Sequence, residues 1–161
     1  MSYFGTSGIY FPFTGEANIN ADQPGFLLPA VICHEMAHQI GFASEDEANF
    51  IAYLTCRLNP DPLFQYSGNL MALIYSLNTL KKMDFDAYLQ LKETCSKEVT
   101  EDIEANNQYW SSFYNPLMTM TSWFYDLFLK ANDQPEGIDS YNLMVDLLIG
   151  EYHKNGLEYD D

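Results

Sequence analysis

The sequence predicts a mainly α domain of the α+β type, with one short β segment near its N-terminus. Three observations carry this. From Phe26 onward, apolar residues recur at three- and four-residue spacing between clear turn signals, the period of helices with one buried face. Only Gly8 to Asn20, rich in aromatic and β-branched residues and bounded by turn formers, reads as extended chain. Finally, 161 residues at 47% hydrophobic and 16% aromatic content, without internal repeat or low-complexity linker, suffice for one core and exclude a disordered chain. Residues 1–161 therefore read as a single domain.

Taken in order, Gly8 to Asn20 predicts one or two short strands, with Pro12 confining the first to a sheet edge. Ala21 to Gly25 is a loop. A helix follows from about Phe26 to Ile40, with Pro29 tolerated in its first turn and Gly41 ending it in a left-handed conformation. A second helix starts at Ser44, an N-cap whose capping box is completed by Glu47, and runs to about Leu58. Asn59-Pro60-Asp61-Pro62 breaks it.

Leu63 to Lys82 predicts the third helix, with Leu70, Leu73, Ile74, Leu77 and Leu80 at helical spacing. Asp84 caps a fourth that ends near Cys95, and Lys97 to Tyr114 forms a fifth. Beyond Asn115-Pro116, Leu117 to Ala131 is a very apolar sixth. Asn132 to Gly137 is turn-rich, Asp139 or Ser140 caps a last helix to about Lys154, and an acidic tail runs from Gly156 to Asp161.

Charge and cysteine usage exclude several partners. With 23 acids against 7 bases, the net charge of −16 repels a phosphate backbone, so nucleic acid is not a partner. Anionic membrane surfaces are disfavoured by the same charge. Three widely spaced cysteines without a C-x-x-C pair make no disulfide framework, and Cys33 and Cys56 read as small buried hydrophobes. No apolar run reaches 18 residues and no basic, then apolar, leader is present. The strand-like segment begins almost at Met1, as in the trimmed middle of a longer protein.

The chemistry-bearing stretch is His34-Glu35-Met36-Ala37-His38. His34 and His38 are i and i+4 on one helix face, so both imidazoles can reach one zinc ion at about 2.0–2.1 Å. Glu35 is placed to face a water on that metal as general base. The flanking Val31, Ile32, Cys33, Ile40 and Phe42 bury the helix, and buried imidazoles need partners.

A catalytic zinc usually takes a third protein ligand and leaves one position open. A metzincin would place a His six residues after His38, where this chain has Ser44. The gluzincin pattern, Glu-x-x-x-Asp on the following helix, is matched by Glu45 to Asn49, with Asn in place of Asp. Glu45 is the expected third ligand, ahead of Glu47. Asn49 shares its helix face and can accept a hydrogen bond from an imidazole N–H as support outside the ligand set. Only six residues separate His38 from Glu45, so the second helix has to turn back sharply through Gly41-Phe42-Ala43.

The stretch Gly8 to Leu54, with its His-Glu-Met-Ala-His-Gln-Ile-Gly-Phe-Ala-Ser-Glu-Asp-Glu-Ala-Asn-Phe core, resembles a bacterial domain-of-unknown-function family of zincin-like, membrane-anchored metallopeptidases. Lys130 to Tyr141 and Leu147-Leu148 resemble it too. The resemblance implies a zincin-like helical domain, Zn2+, and attachment to the bacterial cell membrane through N-terminal helices that this chain lacks. It implies no particular substrate.

The expected activity is hydrolysis of a peptide or protein substrate by zinc-activated water, with Glu35 moving the proton. Tyr141 and His153 are the candidates to stabilise the oxyanion. With twelve tyrosines, packing is the competing role for Tyr141, as is helix-end charge stabilisation for His153. An edge strand from Gly8 to Asn20 could line the substrate cleft, against the plainer reading of a hairpin on the core. Two further readings compete with catalysis: a zincin-like binding or regulatory module without turnover, and a scaffold with a closed four-ligand zinc site.

Overall fold

A computed structural model describes residues 1–131 and 141–155. The expected loop at 132–137, the cap at Asp139 or Ser140 and the tail from Gly156 lie outside the described residues. The fold is mainly α with a small antiparallel hairpin. β1 (Gly8–Phe11) pairs with β2 (Glu16–Ile19) in the register Gly8↔Ile19 to Phe11↔Glu16. Pro12 corrects the expectation of a proline within the strand. It falls just past β1, in the turn that Gly15 closes at φ 71°, where its missing N–H costs no ladder bond.

A single 3-10 turn, Gly25–Leu27, leads into α1 (Leu28–Gln39). α2 spans Glu45–Leu58, α3 Pro62–Met83, α4 Phe85–Thr94, α5 Lys97–Ser112, α6 Pro116–Ala131 and α7 Tyr141–Asn155. Their starts follow local chemistry. Asp61 accepts the Leu63 N–H (2.8 Å), and Asp84 accepts that of Ala87 (3.0 Å). The expected capping box on α2 does not form. The Ser44 hydroxyl instead donates to the buried Asp46 carboxylate, and Glu47 stays exposed. A competing acid within reach of Ser44 outbids the helix amide.

The core lies where α1, α2, α3 and α7 meet, on Ala30, Cys33, Ala52, Cys56, Met71 and Met144. Small side chains let these helices approach closely. At Gly68 of α3, an added Cβ would sit 2.5 Å from Cys56 Cβ. Cys33 and Cys56 are both buried, with their sulfurs 3.7 Å apart, as expected of small hydrophobes. The close packing also caps α1 from outside, since the fully buried Ser67 of α3 accepts the Ala30 N–H at 3.0 Å. Pro29 removes a further unpaired donor from the same turn.

The N-terminal segment is tied down by a buried polar knot. Asn20 Nδ2 donates to Ser2 Oγ (2.9 Å) and to the Tyr109 hydroxyl (3.2 Å), and those two hydroxyls are 2.7 Å apart. α5 is thereby fastened to the N-terminal segment, and the hairpin packs against α1.

Candidate metal centre

α1 ends in a turn that decides the geometry of everything after it. The Phe42 N–H bonds to Ala37 C=O (3.0 Å) and the Gly41 N–H to His38 C=O (3.1 Å), with Gly41 at φ 112°. This is a Schellman ending, and only glycine enters such a conformation without strain. It reverses the chain within three residues, so the short connection suffices to set the start of α2 against the end of α1. It also aims the Phe42 carbonyl at His38 Nδ1, 2.7 Å away.

Three side chains converge there. His34 Nε2 and His38 Nε2 are 3.1 Å apart. The carboxylate of Glu45, first residue of α2, lies 3.4 Å from the former and 3.5 Å from the latter. Donors bound tetrahedrally at about 2.0–2.1 Å would be about 3.3–3.4 Å from one another. The three atoms thus have the size of one face of a tetrahedral zinc shell, and nitrogen with carboxylate oxygen is a donor set that zinc accepts. Among the described residues, no fourth His, Cys, Asp or Glu joins the cluster.

Glu35 sits beside the triad and is 3% exposed. Its carboxylate receives the Tyr10 N–H, and its Oε2 is buried without a partner. Burial pushes this carboxyl above its ordinary range, with the charge of Glu45 adding to it, against the pull of His34 and His38. Its space is provided by Gly8 of β1, where an added Cβ would lie 2.6 Å from Glu35 Cδ. Asn20 N–H bonds to Ser7 C=O (2.8 Å), which makes Ser7 a hydrogen-bonded position of the hairpin. The backbone groups of Gly8 and Tyr10 therefore face away from β2, toward α1.

Burial acts to lower His38, but the Glu45 carboxylate, the Phe42 carbonyl and Glu35 outweigh it, so the imidazole holds a proton above its usual range. His34 Nδ1 and Asn49 Nδ2 are both buried without a partner. Asn49 stands one turn after Glu45 on the buried side of α2, where the sequence places it, but no bond to an imidazole is formed.

Two cavities open at the triad. One, of about 330 Å3, is lined by Phe4 to Ile9, by Glu35 and by Thr121 and Ser122 of α6. The other, of about 280 Å3, runs between α1, α3 and α5. Thr121, Ser122, Tyr75, Asn106 and Trp110 were not legible as site residues, because they come from distant helices with no local motif. Tyr141 opens α7, and its side chain lies outside the described residues. Tyr75 of α3 lines the second of these cavities, away from Glu35. His153 is exposed in the last turn of α7 and lines neither.

A family model described as "Protein of unknown function (DUF3810)" matches residues 1–149. The chain belongs to this family. No curated protein and no solved structure matches it. No described helix is long and apolar enough to cross a membrane.

Proposed function

We propose that this DUF3810 domain is a zinc-dependent peptidase of gluzincin type, holding its metal on His34, His38 and Glu45. The observation that carries the reading is the donor triangle, with edges of 3.1, 3.4 and 3.5 Å, beside the buried carboxylate of Glu35. Bound there, zinc polarises a substrate carbonyl and lowers the pKa of a water in its open position to about 7.

The chain's own residues account for the rest. Glu35 takes a proton from the attacking water and returns it to the leaving amine, a task suited to a carboxyl raised by burial. The Tyr10 N–H and the absent side chain of Gly8 hold that carboxylate in place. The Phe42 carbonyl accepts His38 Nδ1–H and leaves Nε2 as the donor to the metal. Asn49 is the residue to serve His34 in the same way, through its Oδ1 accepting the Nδ1–H that is buried without a partner; its Nδ2 takes no part in this.

Three protein donors support an open site over a closed structural one. A binding module without turnover has no use for Glu35, whose burial with an unpaired oxygen is costly.

The test compares wild type, Glu35→Gln and His34→Ala for bound metal and for cleavage of a peptide library. Zinc near one per chain is expected in wild type and Glu35→Gln, and little in His34→Ala. Hydrolysis should fall about 10²–10⁴-fold in Glu35→Gln. Equal cleavage by wild type and Glu35→Gln, or no cleavage by either, refutes the catalytic assignment.

A further inference from the structure

The 280 Å3 cavity shares His34 and Glu45 with the cavity that holds Glu35, but it extends away from the base. Pockets that enclose a drug-sized ligand run from about 300 to 1,000 Å3. This one is smaller, so it takes one large side chain rather than a cofactor. Its wall is apolar and aromatic, formed by Leu27, Val31, Met71, Ile74, Tyr75 and Trp110. Tyrosine aside, its ionisable lining is His34 and Glu45, which face each other at 3.4 Å. A charged side chain entering the cavity finds no uncommitted counter-ion.

Three amides complete the lining: Gln23, Asn49 and Asn106. Gln23 is engaged, its Nε2 donating to Ser7 C=O at 3.1 Å. The other two are not. Asn49 is 4% exposed with Nδ2 unpaired, and Asn106 Oδ1 is buried without a partner. Buried polar atoms are nearly always paired, so two orphans around one cavity point to a ligand that pairs them. A phenol fits: its hydroxyl donates and accepts, serving either orientation of the amides, while its ring packs against Trp110 and the aliphatic wall.

We infer that this cavity is the side-chain pocket of the site, and that it selects a tyrosine next to the scissile bond. The inference rests on the peptidase reading above. Phenylalanine and leucine fill the space but leave both amide atoms unpaired. Lysine and glutamate bring a charge that nothing there neutralises.

The experiment titrates the zinc-loaded chain with N-acyl hydroxamates of tyrosine, phenylalanine, leucine, lysine, glutamate and glycine, which anchor on the metal without turnover. The metal-free chain is titrated with N-acetyltyrosinamide and N-acetylphenylalaninamide. The tyrosine probe should bind about tenfold tighter than phenylalanine and about a hundredfold tighter than lysine or glutamate, because sites that pair a hydroxyl reject analogues lacking it. Asn106→Leu should close the tyrosine–phenylalanine gap with zinc content unchanged. Ile74→Trp, which fills the cavity, should reduce every probe to the level of glycine. If Asn106→Leu does not fold, Ile74→Trp decides.

Equal binding of tyrosine, lysine and glutamate by wild type overturns the inference, as does unchanged tyrosine binding in Ile74→Trp. A library cleaved without side-chain preference overturns the pocket and leaves the peptidase reading standing. A tyrosine preference in binding, with no peptide cleaved, overturns catalysis and keeps the pocket.

Discussion

At the residue scale, the position of Glu35 depends on an atom that is missing. Gly8 lies in β1, 27 positions before Glu35, and a methyl there would displace either the strand or the carboxylate. Gly8→Ala is therefore expected to cost roughly 1–3 kcal/mol of stability, measured by urea unfolding, through overpacking at a buried site. The proposed zinc ligands are not touched, so on the peptidase reading zinc affinity should hold while kcat falls about a hundredfold, the scale of an ångström-sized misplacement. Loss of zinc with kcat preserved would contradict this. No local signal reveals Gly8, because the contact joins a strand to a helix. That His34, His38 and Glu45 come together was legible because the two histidines are spaced within one helix and Glu45 opens the next, one turn before Asn49. Ser44 was misread for a local reason: a capping box was expected where Asp46 captures the hydroxyl.

At the scale of elements, the helix order was almost fully readable, since each boundary carries its own Gly, Pro, Asp or Ser. How the elements meet was not. The turn after α1 was legible through Gly41, but its second consequence, the Phe42 carbonyl on His38 Nδ1, appears only in three dimensions. Gly41→Ala forces a side chain to φ 112° and is expected to cost about 1 kcal/mol or more. It also swings that carbonyl away, so zinc affinity should drop about 10–100-fold in a chelator competition. Unchanged affinity would show that the carbonyl gives His38 no support.

The contact between α3 and α5 makes a pH prediction. The Tyr66 hydroxyl donates to the Asp102 carboxylate, and burial together with that charge pushes the phenol up to about 12. A group with a raised folded pKa stabilises the fold fully below its unfolded value, near 10, and loses that contribution as pH climbs to about 12. The urea midpoint of wild type should therefore fall between these limits more steeply than that of Tyr66→Phe. Parallel curves for the two proteins would remove Tyr66 from the account.

At the scale of the molecule, the proposed metal joins two helices that the chain connects by only six residues. His34 and His38 belong to α1, Glu45 to α2, and α2 is packed in turn on α3 and α7 around Ala52, Cys56 and Met144. Arg57 extends that packing with an ion pair to Glu151 of α7 at 3.7 Å. An ion that closes the first pair therefore acts on the whole core. It does so only in the folded state, because the unfolded chain does not hold the three donors together. At free zinc a thousandfold above Kd, such linkage stabilises by about 4 kcal/mol. For a chain of this size that corresponds to a rise in Tm of roughly 8–16 °C. The rise should follow the logarithm of zinc concentration, vanish on chelation, and be absent in His38→Ala and Glu45→Gln. Glu47→Gln separates this site from the general attraction of a divalent cation to a chain of net charge −16. Glu47 is exposed and outside the triangle, so its variant should keep the full rise. A shift that survives Glu45→Gln, or falls equally in Glu47→Gln, would mean that zinc acts through surface charge and not through the junction of α1 and α2.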